Sequence, residues 1–173
     1  GAECMSRAPF IVPDQRWGKK MGDIRTVDMM VGALSCPFGT GHMGVTAENV
    51  AAEHGITREA QDAFAAESQA RAARAIEAGH FRDQIVPVEI ASRRGTQVFD
   101  TDEHPKPTTP ESLAGLRPAF QKDGSVTAGN ASGINDGAAA LVLARASAAR
   151  DAGLTPRARI LGYAHAGVRP EVM

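Results

Sequence analysis

Seven consecutive residues, Ala138 to Ala144, carry no polar side chain, and they follow directly on a glycine-rich loop at 124–137. An unbroken apolar run of this length reads as a strand buried on both faces, which requires a covering layer on each side of its sheet. Ser147 to Ala152 then reads as a short helix, and Arg159-Ile160-Leu161-Gly162-Tyr163 as a further strand. Strand, helix, strand is the start of a layered domain, so α/β is the expected fold class. The 43% of hydrophobic residues is enough for a core and excludes wholesale disorder.

The residues before this run read as a separate, mixed excursion. Pro9, Pro13, Trp17-Gly18 and Gly22 break the first stretch into loop or short hairpin. Residues 26–35 recover a helical apolar period through Val27, Met30, Val31 and Leu34, ended by Pro37 and the glycines at 39, 41 and 44. Thr46 is the expected N-cap of a helix at 47–54, with Gly55 closing it. Thr57 caps the next helix, which runs to about Ala78 and stops at Gly79. Its expected packed face is Phe64, Ala65, Ser68, Ala72, Ala75 and Ile76. Residues 85–90 and 96–100 flank Ser92-Arg93-Arg94-Gly95 as a hairpin, and a short helix begins with Pro110 at its first position.

Nineteen Lys and Arg against twenty Asp and Glu give a formal net charge of −1, which argues against a dedicated nucleic-acid binder or a protein of anionic membrane surfaces. No apolar run approaches the ~20 residues of a membrane helix. Two cysteines, Cys4 and Cys36, exclude a disulfide framework and a cysteine-rich zinc module. Gly39-Thr40-Gly41-His42-Met43-Gly44 matches G-x-G-x-x-G, but a dinucleotide fingerprint needs a strand directly before it, and here a helical segment broken by Pro37 stands there.

His42 reads in one of two ways: a loop histidine without a role, or a polar group beside Met43 in the wall of a pocket for a long, mostly apolar ligand. Asp100, Asp102, Glu103 and His104 lack the spacing of a calcium loop and read as a solvated strand end, so no metal site is expected. In Gly129-Asn130-Ala131-Ser132-Gly133 the serine stands one place late for a nucleophile elbow, and a strand follows where the elbow needs a helix. The loop from Thr127 to Gly137 is either a plain tight turn or a surface that offers backbone amides and a hydroxyl to a ligand amide.

Several blocks in order carry a resemblance. They are Gly1-Ala2-Glu3-Cys4-Met5-Ser6, Lys20-Met21-Gly22-Asp23, and His42-Met43-Gly44-Val45-Thr46-Ala47-Glu48-Asn49-Val50-Ala51. Gln61-Asp62-Ala63-Phe64-Ala65 with Ser68-Gln69 and Leu116-Arg117-Pro118-Ala119-Phe120 follow. Most specific is Thr127-Ala128-Gly129-Asn130-Ala131-Ser132-Gly133-Ile134-Asn135-Asp136-Gly137-Ala138-Ala139. Across essentially the whole chain they resemble the thiolase family, and the His-Met-Gly form is most similar to its biosynthetic branch, acetyl-CoA C-acetyltransferases and related β-ketothiolases.

That resemblance implies a thiolase-like layered α/β fold. Residues 1–133 would form the loop domain and flanking segment that cover the coenzyme A site. Residues 134–173 would be the core strand–helix–strand, ending the first half and entering the second. By the same resemblance Leu34, His42 and Met43 line the pantetheine channel, with Ser112, Leu116, Ala119 and Phe120 continuing it toward the nucleotide. Ala128, Gly129, Ala131 and Ser132 contact the pantetheine end near the thioester. Where the family carries an arginine in the connection before Ser112, this chain has Pro105, with Lys106 beside it. Trp17, Lys19 and Lys20 fall in the 8–26 loop, which implies contacts of a homotetramer.

The implied reaction is a reversible Claisen condensation of acetyl-CoA with acyl-CoA through an acyl-cysteine, in the cytoplasm, with coenzyme A thioesters as substrates and no metal or redox cofactor. It needs a nucleophilic cysteine, an activating histidine and a second cysteine. The resemblance places all three outside this chain, in a fold about twice as long. No catalytic residue is therefore expected here, and Cys4 aligns with a position that is usually serine. The chief alternative is a non-catalytic coenzyme A- or lipid-binding relative on the same scaffold. A structural or interaction piece whose glycine loops are only turns stands as the other.

Overall fold

Local signals set most of the elements. In the computed structural model, which describes residues 1–173, the chain opens with β1 (Ala2–Cys4), a 3-10 turn at Met5–Arg7 and β2 (Phe10–Ile11). β2 pairs antiparallel with β3 (Val27–Asp28), enclosing a loop that leaves Trp17 and Met21 in solvent. Asp28 then caps α1 (Met29–Ala33), its carboxylate accepting from the Met30 N–H at 2.8 Å. The helix expected over 26–35 is thus confined to five residues, because Val27 pairs as strand before it. After it, β4 (Ser35–Cys36) folds back onto β5 (Gly41–His42) through a turn with positive φ at Gly39 and Gly41.

α2 (Met43–His54) starts four residues before the expected 47, and its N-cap is His42 rather than Thr46. The imidazole Nδ1 accepts from the Gly44 N–H at 3.0 Å, a task usually given to a hydroxyl or carboxylate. Gly55 closes the helix in the left-handed conformation, as expected. Thr57 caps α3 (Arg58–Glu77), accepting from the Ala60 N–H at 3.2 Å. The hairpin forms as β6 (Val88–Ser92) and β7 (Gly95–Phe99), with both faces exposed. α4 (Pro110–Ala114) has Pro110 in its first turn and a capping box between Thr109 and Ser112.

β8 (Asp136–Ala138) pairs antiparallel with β1, so the first strand crosses back to the end of the glycine-rich loop. Asp136 reinforces the join by accepting from the Ser6 hydroxyl at 2.6 Å and the Ser6 N–H at 2.9 Å, and these two bonds hold its carboxyl below the usual range. α5 (Ala146–Asp151) follows, and a final 3-10 turn at Pro170–Val172 packs against α2.

Two expectations fail for one reason. Ala138–Ala144 does not form a strand buried on both faces: pairing stops at Ala138, and Leu141 and Val142 are each 89% exposed. Arg159–Tyr163 is likewise irregular, with Ile160, Leu161 and Tyr163 in solvent. A doubly buried strand needs layers on both faces, and these residues supply none. The accessible surface makes the same point at the scale of the whole chain. It is 14692 Å², against roughly 8,000 Å² for a compact monomer of this mass.

Only ten residues are buried. Apart from Cys36 and Ala149, they gather where α2, α3 and α4 meet the loop at 124–130. The packed face of α3 agrees with the expected one only at its alanines: Ala65, Ala72 and Ala75 are half-buried, whereas Phe64, Ser68 and Ile76 are exposed. Asp62 is buried in their place, with Arg58, Gln61 and Gln69 half-buried. The reason is the partner: α3 packs against loop backbone and α4, which call for hydrogen-bonding side chains rather than bulk.

Candidate functional site

The first half of the site is built at the start of α2. With its Nδ1 bound to Gly44, the His42 ring is fixed in direction, and its other nitrogen, Nε2, carries the ring N–H. The ring stacks on Phe120 with centroids 4.8 Å apart and planes 20° from parallel. Gly44 is what permits this, since a Cβ there would collide with the Phe120 ring. The Met43 N–H donates to the Leu34 carbonyl at 2.8 Å, which ties the Leu34 backbone to the start of α2 beside the His42–Phe120 stack, while Met43 also lines an apolar hollow with Val50, Ile56 and Val172.

The second half is the loop after α4. Gly129 sits so close to Leu113 and Leu116 that a Cβ would strike both side chains. Pro118 bridges Thr127, and the Ala119 N–H donates to the Val126 carbonyl at 2.8 Å. Residues 113–120 therefore form a spine, with Gly129 against one end and His42 and Gly44 against the other. Ala128 and Ser132 are exposed and Ala131 half-buried along the same loop. Ser112 directly precedes the spine in α4. Its hydroxyl accepts from the Thr109 N–H and donates to the Thr109 carbonyl at 2.8 Å, the capping bonds of α4.

A buried polar cluster holds this loop. Glu48, 7% exposed, accepts from the Ser125 N–H, the Ser125 hydroxyl and the Val126 N–H at 2.8–2.9 Å. Burial pushes its carboxyl up, but the Ser125 and Val126 bonds outweigh that and hold it below the usual range. Asn130 accepts from the Thr127 N–H at 2.8 Å and donates to the Ser125 carbonyl and to Asp62. Asp62 in turn pairs with Arg58 at 2.7 Å. No sequence expectation assigns these residues a role. The one local signal is Arg58 and Asp62 four apart on a helix, which puts them on one face.

Other sequence candidates lie apart from this spine. Asp100 and Asp102 stand near the end of the β6–β7 hairpin, exposed with Glu103, whereas the exposed His104 ring lies against Gly133, where a Cβ would strike it. The Lys106 N–H donates to Gln69 Oε1 at 3.1 Å, which ties the connection before α4 to α3. Cys36 is buried and Cys4 exposed. The G-x-G-x-x-G stretch is the β4–β5 hairpin and its exit, without the long parallel strand of a dinucleotide fold.

The sequence model of a family described as thiolase, N-terminal domain, matches residues 1–147. Acetyl-CoA acetyltransferase of Syntrophomonas wolfei is 54% identical over 178 aligned residues, covering all of this chain and 44% of that protein. Among solved structures, acetyl-CoA acetyltransferase of Bacillus anthracis superposes with a TM-score of 0.92 at 50% identity, over 99% of this chain and 44% of its own. Human mitochondrial 3-ketoacyl-CoA thiolase in complex with CoA gives a TM-score of 0.90 at 43% identity, over 99% of this chain and 43% of its own. The chain spans less than half the length of the curated relatives it matches.

Proposed function

Because this chain belongs to the thiolase family and has that family's α/β fold, we propose that the protein carrying it condenses acetyl-CoA with acyl-CoA to 3-oxoacyl-CoA and coenzyme A, reversibly, through an acyl-cysteine. These 173 residues supply a binding wall, while the nucleophilic cysteine, its activating histidine and the second cysteine stand outside them. The observation that carries this reading is the spine at 113–120, where the His42–Phe120 stack and the Gly129 contact bring separate parts of the chain onto one face.

On that face Leu34, Met43, Leu116, Ala119 and Phe120 offer apolar surface to a pantetheine arm. The His42 Nε2–H is a donor for one of its carbonyls. Ala128, Gly129, Ala131 and Ser132 bring backbone amides and a hydroxyl to its amide end, and Ser112 lies toward the nucleotide. The condensation forms one C–C bond and releases the cysteine thiolate, so it calls for charge stabilisation rather than a metal or redox group. The loop between β2 and β3, with Trp17 88% exposed, suits the contacts of a homotetramer. The cytoplasmic location is part of the same proposal and rests on the family resemblance alone.

The test is acetoacetyl-CoA thiolysis by the complete protein, with coenzyme A binding measured in parallel. Turnover that saturates with coenzyme A supports the reading. Binding without turnover favours a non-catalytic relative, and neither sinks both. The 173-residue chain alone should show no turnover, and a measurable rate would move the catalytic residues into it.

A further inference from the structure

Asp62 is 4% exposed, and its two oxygens do different work. Oδ2 takes Arg58 Nε at 2.7 Å; Oδ1 takes the Asn130 amide at 2.9 Å. The same Arg58 reaches on to donate to the carbonyls of Leu113 at 2.6 Å and Leu116 at 3.2 Å. The Leu113 carbonyl also accepts the Leu116 N–H at 2.9 Å, so Arg58 adds a second bond where the chain leaves α4. One carboxylate thus joins two pieces of chain: α4 and Leu116 through Arg58, and the Thr127–Ser132 loop through Asn130. A buried ion pair adds little net stability compared with apolar packing, so its value here lies in geometry.

We propose that Asp62 is a positioning residue for the coenzyme A site, holding Leu116 and the Thr127–Ser132 loop in one fixed relation by way of Arg58 and Asn130. The inference rests on the binding role proposed above for Leu116 and that loop. Asp62 itself touches no substrate. Gly129 explains why the relation must be exact to fractions of an ångström: it already lies too near Leu113 and Leu116 to admit a Cβ, so a small shift of either piece opens or closes the wall. Gln61 reinforces the same side of α3 with a bond from its amide to the Ser125 hydroxyl at 2.9 Å.

The test uses the complete protein with Asp62→Asn, Asn130→Asp and the two combined. Asp62→Asn leaves one oxygen for two donors, Arg58 Nε and the Asn130 amide, and Asn130→Asp sets two carboxylates against each other across the 2.9 Å contact. The combination restores the bond between 62 and 130 with donor and acceptor reversed, while a carboxylate at 130 still lacks the bond to the Ser125 carbonyl. Each single variant should raise the KM for coenzyme A about tenfold with kcat within about twofold, and the pair should recover part of the loss. Hydrogen exchange read in the same samples should speed up at 127–132 and at 113–116 together in the single variants and slow again in the pair. Unchanged KM, or kcat and thermal stability falling together without recovery in the pair, would overturn the positioning role. If the parent protein neither binds nor turns over coenzyme A thioesters, the binding reading fails and takes the role with it. The exchange data then report separately whether the two pieces are coupled.

Discussion

Glu48 and Ser125, 77 positions apart, are joined by three hydrogen bonds, two from the Ser125 N–H and one from its hydroxyl, all at 2.9 Å. A carboxylate with this many donors is an anchor for a loop that has no regular structure of its own. Gly124 makes room for it, because a Cβ there would collide with Glu48 Oε1.

Replacing the carboxylate by an amide turns one acceptor into a donor that faces backbone N–H groups. Glu48→Gln should cost about 2–3 kcal/mol in urea unfolding at neutral pH. The carboxyl is held below its ordinary value in the folded protein, so its stabilisation is present above the unfolded pKa of about 4.3 and is lost as pH falls through the lower folded value. The gap between parent and variant should therefore narrow as the urea midpoints are followed downward from about pH 5.

His42 does two jobs that substitution can separate. His42→Asn keeps an N-cap acceptor for α2 and removes the ring from Phe120. His42→Ala removes both. The alanine variant should lose about 1 kcal/mol more than the asparagine variant in thermal unfolding, the usual worth of a cap. Equal losses would mean that the Gly44 bond contributes nothing.

Gly44 lies inside α2, where alanine is preferred to glycine by about 1 kcal/mol. The Phe120 ring occupies the place a Cβ would take, and overpacking of that kind costs about 1–3 kcal/mol. Gly44→Ala should thus be net destabilising. Adding Phe120→Leu, which shrinks the obstacle, should make the double variant less unstable than the sum of the two singles.

Thr46 is 3% exposed, and its hydroxyl has no hydrogen-bond partner. A buried polar atom in that condition is a cost without return. Thr46→Val keeps the shape and removes the hydroxyl, so it should raise the unfolding free energy by about 1 kcal/mol. A drop in melting temperature would show that the hydroxyl has a partner in solution.

What was legible in the sequence was local. Thr57 and Gly79 bound α3 because a cap hydroxyl and a left-handed glycine act over a few residues, and Ser92 to Gly95 turns its hairpin for the same reason. The start of α2 escaped because histidine is not among the usual caps. The working face of α3 escaped because hydropathy assigns Arg58, Gln61 and Asp62 to solvent, whereas here polar groups face a backbone that needs partners. Leu34, Phe120 and Gly129 follow from the resemblance, and His42 beside Met43 also from its own chemistry, but the stack of His42 on Phe120 and the contact of Gly129 with Leu116 are visible only in three dimensions. The fate of Ala138–Ala144 depends on what covers it, which no local pattern contains.

That segment has a consequence in solution. Leu141, Val142 and Leu143 are open on all sides, and no backbone hydrogen bond engages them. An extended apolar stretch with idle donors and acceptors is a template for strand addition by another molecule. Such an encounter is bimolecular, so crowding rather than heat is its trigger. Light scattering from this chain should therefore rise with concentration more steeply than from a variant with Val142→Lys.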